Sequence, residues 1–131
     1  MKYFSTRNKN LNCSFKEVFL RGLAPDGGLF IPQKLKIYNS SELKELSKLK
    51  YTDLATEIIS NFCVPDLEKN KLKALVEKAY KAFDSKDVVK IKKIGNLNLL
   101  ELYHGPTLAF KDIAMQVIGN IYNEFNSTDK K

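Results

Sequence analysis

Lys111 stands in "HGPTLAFKD", residues 104–112, between Phe110 and Asp112 and shortly after a Gly-Pro break. A neutral lysine amine attacks a carbonyl carbon to form a Schiff base, and desolvation is one way to prepare it. Thr107 reads as the N-cap of a helix "LAFKDIAMQVIGNIYNEF". At about 100° per residue, Lys111 shares a stripe with Met115, Ile118, Tyr122 and Phe125, while Asp112 falls with Gln116, Gly119, Asn123 and Asn126. Burial on that apolar stripe and the positive end of the helix dipole both disfavour an ammonium, so this placement predicts a nucleophilic amine. The same spacing suits a lysine at the stripe's edge whose head reaches water along its alkyl stem. Periodicity by itself favours the second.

Other reactive groups are sparse. His104 is the only histidine, able to serve a phosphate or acid–base chemistry, or simply to orient a strand end through hydrogen bonds. Cys13 and Cys63 lie far apart without a CxxC pattern, so they read as ordinary buried thiols, with neither a disulfide framework nor a metal site indicated. Asp112 suits the helix N-terminus through the dipole, and Ser5, Thr6, Arg7 and the "APDGG" turn read as structural by default. No GxGxxG or Walker pattern occurs.

Charge excludes a further class. The net charge is +7, but all of the 22 basic residues except Arg7 and Arg21 are lysines spread along helical segments, without the arginine clusters that favour base and phosphate recognition. No nucleic-acid partner is expected, although a phosphate-bearing small ligand is compatible with the charge. No apolar run approaches the roughly 20 residues of a membrane span, and "YFSTRNKNLN" lacks a secretory h-region, which makes the cytoplasm the expected compartment.

The elements that must position Lys111 follow from pattern. Ser14 and Glu17 form a capping box ahead of Phe15, Val18 and Phe19, with Gly22 after the last turn and a short extended "LFI" ending at Pro32. "NSSELKELSKL" suits a short helix capped by Ser40 or Ser41. "YTDLATEIISNF" suits another, capped by Thr52, with Leu54, Ala55, Ile58, Ile59 and Phe62 inward and Pro65 ending it. Leu72, Leu75, Val76, Ala79, Tyr80 and Phe83 mark the clearest amphipathic helix. After Asp84 the period changes, and Gly95-Asn96 predicts a hairpin. The expected fold class is α+β, several helices and a small antiparallel sheet around one core, with a frayed polar end at "NSTDKK".

"MKYFSTR" at the start, "GLAPDGGLFIP" at 22–32 and "LELYHGPTLAFKD" at 100–112 occur in an order and spacing that resemble the N-terminal part of threonine synthase. The resemblance runs through "YTDLA" and "AYKAF" and covers nearly the whole chain up to about Phe125. It implies the N-terminal domain of a fold-type II, tryptophan-synthase-β-like, pyridoxal-phosphate enzyme. Residues 1–105 would be the α+β domain and residues 106–131 the start of the catalytic domain. Lys111 would be both the cofactor-binding and the catalytic residue, through its Schiff base with pyridoxal phosphate. The implied reaction converts O-phospho-L-homoserine and water to L-threonine and phosphate, with Lys111 shuttling protons at Cα and Cβ.

In the family the phosphate-binding loop and most substrate contacts lie beyond the lysine helix. The expectation is therefore a truncated amino-terminal fragment, inactive alone. The alternative is a stand-alone, non-catalytic module that binds a protein partner through the surface the missing domain would cover. An exposed patch of Ile113, Val117 and Ile121 would serve either reading.

Overall fold

Residues 1–128 are described by a computed structural model of the chain. Strand β1 (Lys2–Ser5) alternates outward and inward side chains, burying Tyr3 and Ser5. It is the centre of a three-stranded antiparallel sheet in the order β2-β1-β3, flanked by β2 (Cys13–Ser14) and β3 (Phe30–Pro32). Tyr3 lies opposite Cys13 on one side and Pro32 on the other. The opening "MKYFSTR" is therefore half strand, a feature its short length and mixed composition concealed.

Helix α1 (Phe15–Arg21) begins with the expected box: Glu17 N–H donates to Ser14 Oγ at 3.3 Å and Ser14 N–H to Glu17 Oε2 at 2.7 Å. Gly22 follows at φ +74°. Helix α2 (Ser40–Leu46) is capped by Asn39, not by Ser40 or Ser41: Asn39 Oδ1 accepts from Glu42 N–H at 2.9 Å, and Glu42 returns the bond to the Asn39 N–H. Only Asn39 has a glutamate three residues on, which decides the register of a capping box. Helix α3 (Tyr51–Cys63) also departs from expectation, because Lys50 takes the cap position without a side-chain bond and Thr52 lies inside the first turn. Ile58 is exposed rather than inward, and Thr56 and Cys63 are the fully buried positions.

Helix α4 (Lys69–Tyr80) buries Leu72, Leu75, Val76, Ala79 and Tyr80, with Phe83 just beyond it. These meet Cys63, Leu67, Val88 and one face of helix α5 (Asp112–Thr128), namely Val117, Ile121 and Phe125. Each Leu, Val, Ile or Phe among them stabilises the fold by roughly 1.5–3 kcal/mol when fully withdrawn from water. Phe15 and Phe19 of α1 close the cluster edge-on against Phe125, at ring separations of 6.1 and 5.8 Å. Both cysteines are free and buried, as their sequence context suggested.

Strands β4 (Lys90–Ile94) and β5 (Leu97–Glu101) pair antiparallel around Gly95-Asn96, with Ile94 opposite Leu97 and Lys90 opposite Glu101. This hairpin does not share the core: Ile91, Ile94, Leu97, Leu99 and Leu100 are all exposed. A two-stranded ribbon has two faces and no third strand, so burial requires a partner layer that the helices do not supply. At the C-terminal end, Asn126–Thr128 belong to α5 rather than to a frayed tail, and Ser127 Oγ donates to the Asn123 carbonyl at 2.6 Å. The remainder of "NSTDKK", residues 129–131, lies outside the described residues.

Candidate functional site

The strand-to-helix connection places Lys111. After β5, the His104 ring is buried between two carboxylates, with Nδ1 2.9 Å from Asp84 Oδ1 and Nε2 3.0 Å from Glu101 Oε2. The His104 bond, with a further one from Tyr103, holds the Glu101 carboxyl below its ordinary range. His104 is thus a fastening for the strand end, the simpler of the roles its sequence context allowed.

Gly105-Pro106 then opens a turn closed by Leu108 N–H donating to the Gly105 carbonyl at 3.0 Å. Leu108 carries φ +58°, a left-handed conformation that an L residue with a branched side chain avoids by about 1–2 kcal/mol. Its side chain is largely exposed, so burial does not offset that strain. Strain of this kind persists where surrounding bonds over-determine the backbone.

Those bonds converge on Asp112. Its Oδ2 accepts from Thr107 N–H at 2.8 Å and from Thr107 Oγ1–H at 2.9 Å, and its Oδ1 from Gln116 Nε2 at 3.4 Å. Burial works to raise this carboxyl, but the hydrogen bonds from Thr107 and Gln116 outweigh it and hold the group below its ordinary value. A Cβ on Gly105 would lie 2.3 Å from Asp112 Cβ, so only glycine admits the carboxylate here.

The helix accordingly starts later than the sequence suggests. Thr107 is not its N-cap; α5 begins at Asp112, and the Lys111 carbonyl accepts the first helical bonds, from Ala114 N–H at 3.1 Å and Met115 N–H at 2.9 Å. Lys111 occupies the capping position itself. The predicted polarity is also reversed: Lys111 is exposed, whereas Asp112 is buried. Helix α5 is apolar over more than one arc, and the face chosen by α4 and α1 is that of Val117, Ile121 and Phe125. Met115, Ile118 and Tyr122, three of the four stripe companions expected for Lys111, stay exposed with Leu108 and Phe110, whereas the fourth, Phe125, is buried. The patch expected at Ile113, Val117 and Ile121 is therefore not exposed: Val117 and Ile121 are buried, and Ile113 is packed against the core. Lys111 is exposed, so the burial argument for an activated Lys111 fails within these residues.

At the opposite end of the sequence, the "STR" and "PDGG" motifs lock together. Ser5 Oγ donates to Asp26 Oδ1 at 2.7 Å, Gly28 N–H to the same oxygen at 2.9 Å, and Arg7 Nη1 to the Asp26 carbonyl at 3.0 Å. These residues hold β1 against the 24–29 turn, in keeping with a structural role.

Solved structures share this fold. The chain superposes on a pyridoxal-phosphate-bound threonine synthase from Brucella melitensis with a TM-score of 0.93 and 32% identity, over 100% of this chain and 28% of that one. It superposes on the threonine synthase from yeast with a TM-score of 0.93 and 37% identity, over 98% and 27%. The fold is that of the N-terminal domain of a fold-type II pyridoxal-phosphate enzyme. Residues 2–80 match the profile described as "Threonine synthase N terminus", and the chain belongs to that family. Among sequence relatives, the threonine synthase of Schizosaccharomyces pombe is 39% identical over 128 residues, 95% of this chain and 25% of that protein. The enzyme of Methylobacillus glycogenes is 39% identical over 132 residues, 93% and 28%. The chain thus spans about a quarter of the length of these relatives.

Proposed function

We propose that this chain supplies the N-terminal domain and the cofactor lysine of a threonine synthase that converts O-phospho-L-homoserine and water to L-threonine and phosphate. Residues 1–105 form the α+β domain, and residues 106–131 open the catalytic domain, with α5 packed on α4 and α1. Pyridoxal phosphate, when bound, supplies an electron sink for negative charge developing at substrate carbons.

The residues present suit its covalent anchor. Lys111 is exposed at the start of α5, and its amine has no ion pair or hydrogen bond among the described residues, so a carbonyl can reach it. Lys111 would hold the cofactor covalently through its amine, and the same amine would move protons at the substrate's Cα and Cβ. Asp112, Thr107 and His104 hold the segment that carries it. The observation that supports this reading most strongly is Lys111 at the first turn of α5 within a chain of this family.

Taken alone, the 131 residues leave Lys111 in water, and a solvent-open amine lacks the exclusion of water and the substrate orientation that catalysis needs. The isolated chain is therefore inactive, and the enzyme is cytoplasmic. Assaying phosphate release from O-phospho-L-homoserine by the full-length enzyme and by its Lys111→Ala variant tests the assignment. Loss of turnover in the variant is expected, and retained turnover would overturn it.

A second reading, a non-catalytic module that binds a protein partner, draws on the exposed stripe of Met115, Ile118 and Tyr122. Partner binding abolished by Met115→Glu but indifferent to Lys111→Ala would favour it.

A further inference from the structure

We infer that Asp112 is a positioning residue for Lys111. The inference rests on the reading of Lys111 as the cofactor lysine. A carboxylate next to a lysine invites the idea that it serves as the lysine's counter-ion. The geometry points elsewhere, because both Asp112 oxygens turn inward, one to Thr107 and one to Gln116. Asp112 is 3% exposed, while Lys111 beside it faces solvent.

What the carboxylate does is close a loop. Its two bonds to Thr107 join the ends of the segment 107–112, and its contact with Gly105 seals the base of that segment. Inside the closed loop, Leu108 is held at φ +58°. Turns from Asp112 N–H to the Ala109 carbonyl at 3.0 Å and from Ile113 N–H to the Phe110 carbonyl at 3.3 Å then span Lys111 with backbone bonds. The loop is anchored to the core on both sides, by His104 to Asp84 before it and by the Tyr80 hydroxyl donating to the Ile113 carbonyl at 3.1 Å after it. The direction in which the Lys111 side chain leaves the backbone is set by Asp112 through Thr107, not by contacts of the lysine itself.

This role makes a prediction opposite in sign to that of a counter-ion. Neutralising a carboxylate beside a lysine favours the uncharged amine and speeds its reaction with an aldehyde. Loosening the loop slows that reaction at Lys111 relative to other lysines. The test is borohydride trapping of pyridoxal phosphate on the chain, with peptide mapping and the labelling rate at Lys111 divided by that at the exposed reference Lys90. It is run on the parent and on the Asp112→Asn, Asp112→Glu and Thr107→Val variants, with the helical circular-dichroism signal as the check on folding.

The expected result is a parent ratio above one that falls about tenfold toward unity in Asp112→Asn and Thr107→Val. Asp112→Glu recovers part of the ratio, and the helical signal is kept throughout. A ratio that is unchanged or higher in a folded Asp112→Asn variant would overturn the positioning role and leave the lysine assignment standing. A parent ratio of one, matched by a Lys111→Ala variant with undiminished total labelling, would overturn both. If Asp112→Asn unfolds, Thr107→Val decides alone, since it keeps the charge and removes one of the two Thr107 bonds.

Discussion

Asp84 and His104 are joined twice: the Asp84 backbone N–H donates to the His104 carbonyl at 3.0 Å, and His104 Nδ1 lies 2.9 Å from Asp84 Oδ1. This double link ties the segment after α4 to the strand end from which the lysine loop departs. Replacing the ring by His104→Ala leaves the partly buried Glu101 carboxylate without its imidazole partner. The chain should lose about 1–3 kcal/mol of stability, read as a lower midpoint in urea. An unchanged midpoint would mean that the His104 bonds are not formed in solution.

Alkali should unfold the protein through two buried groups. Burial, with the nearby Cys63 and Asp66, pushes the Tyr3 hydroxyl from 10.0 up to about 12, and burial pushes the Cys63 thiol from 9.0 up to about 11. In both cases the folded state favours the protonated form. The contribution to stability is therefore complete below the unfolded-state values and is lost as pH rises from about 9 to 12. Melting temperature should fall across that window, and Cys63→Ala should flatten its lower part. A flat profile to pH 12 would contradict the burial of both groups.

Gly28 tests the lock between the two N-terminal motifs. A Cβ there would sit 2.2 Å from Ser5 Oγ and 2.9 Å from Thr6 Oγ1. Gly28→Ala must push β1 away from the turn and break the Ser5–Asp26 bond, at a cost of about 1–3 kcal/mol. Thermal denaturation measures it, and a neutral result would show that the two motifs are not in contact.

Leu108 offers the opposite sign. Asparagine tolerates the left-handed region that leucine resists, and the Leu108 side chain is 69% exposed, so little packing is lost. Leu108→Asn should stabilise the chain by up to about 1 kcal/mol in urea unfolding. A destabilised variant would contradict the left-handed backbone at this position.

The sequence was most legible where one local rule acted alone. The Ser14–Glu17 box, the α4 stripe from Leu72 to Phe83 and the Gly95-Asn96 turn needed no distant information. It misled where tertiary packing chooses between local options. Thr107 is a good cap residue, yet its hydroxyl is spent on Asp112, so the helix starts after Lys111. The apolar arcs of α5 outnumber the partners available to cover them, and periodicity does not say which arc α4 will meet. The order of the "STR", "PDGG" and "HGPT" motifs pointed to the family from sequence, whereas the exposure of Lys111 and burial of Asp112 emerged only from the fold.

Whether Lys111 carries the cofactor is read from where pyridoxal phosphate attaches. The chain is titrated with pyridoxal phosphate, reduced with borohydride, and mapped by peptide mass beside a Lys111→Ala variant. Saturable labelling that favours Lys111 over the other lysines and disappears in the variant is expected. Labelling scattered over the lysines and unaffected by Lys111→Ala would contradict it.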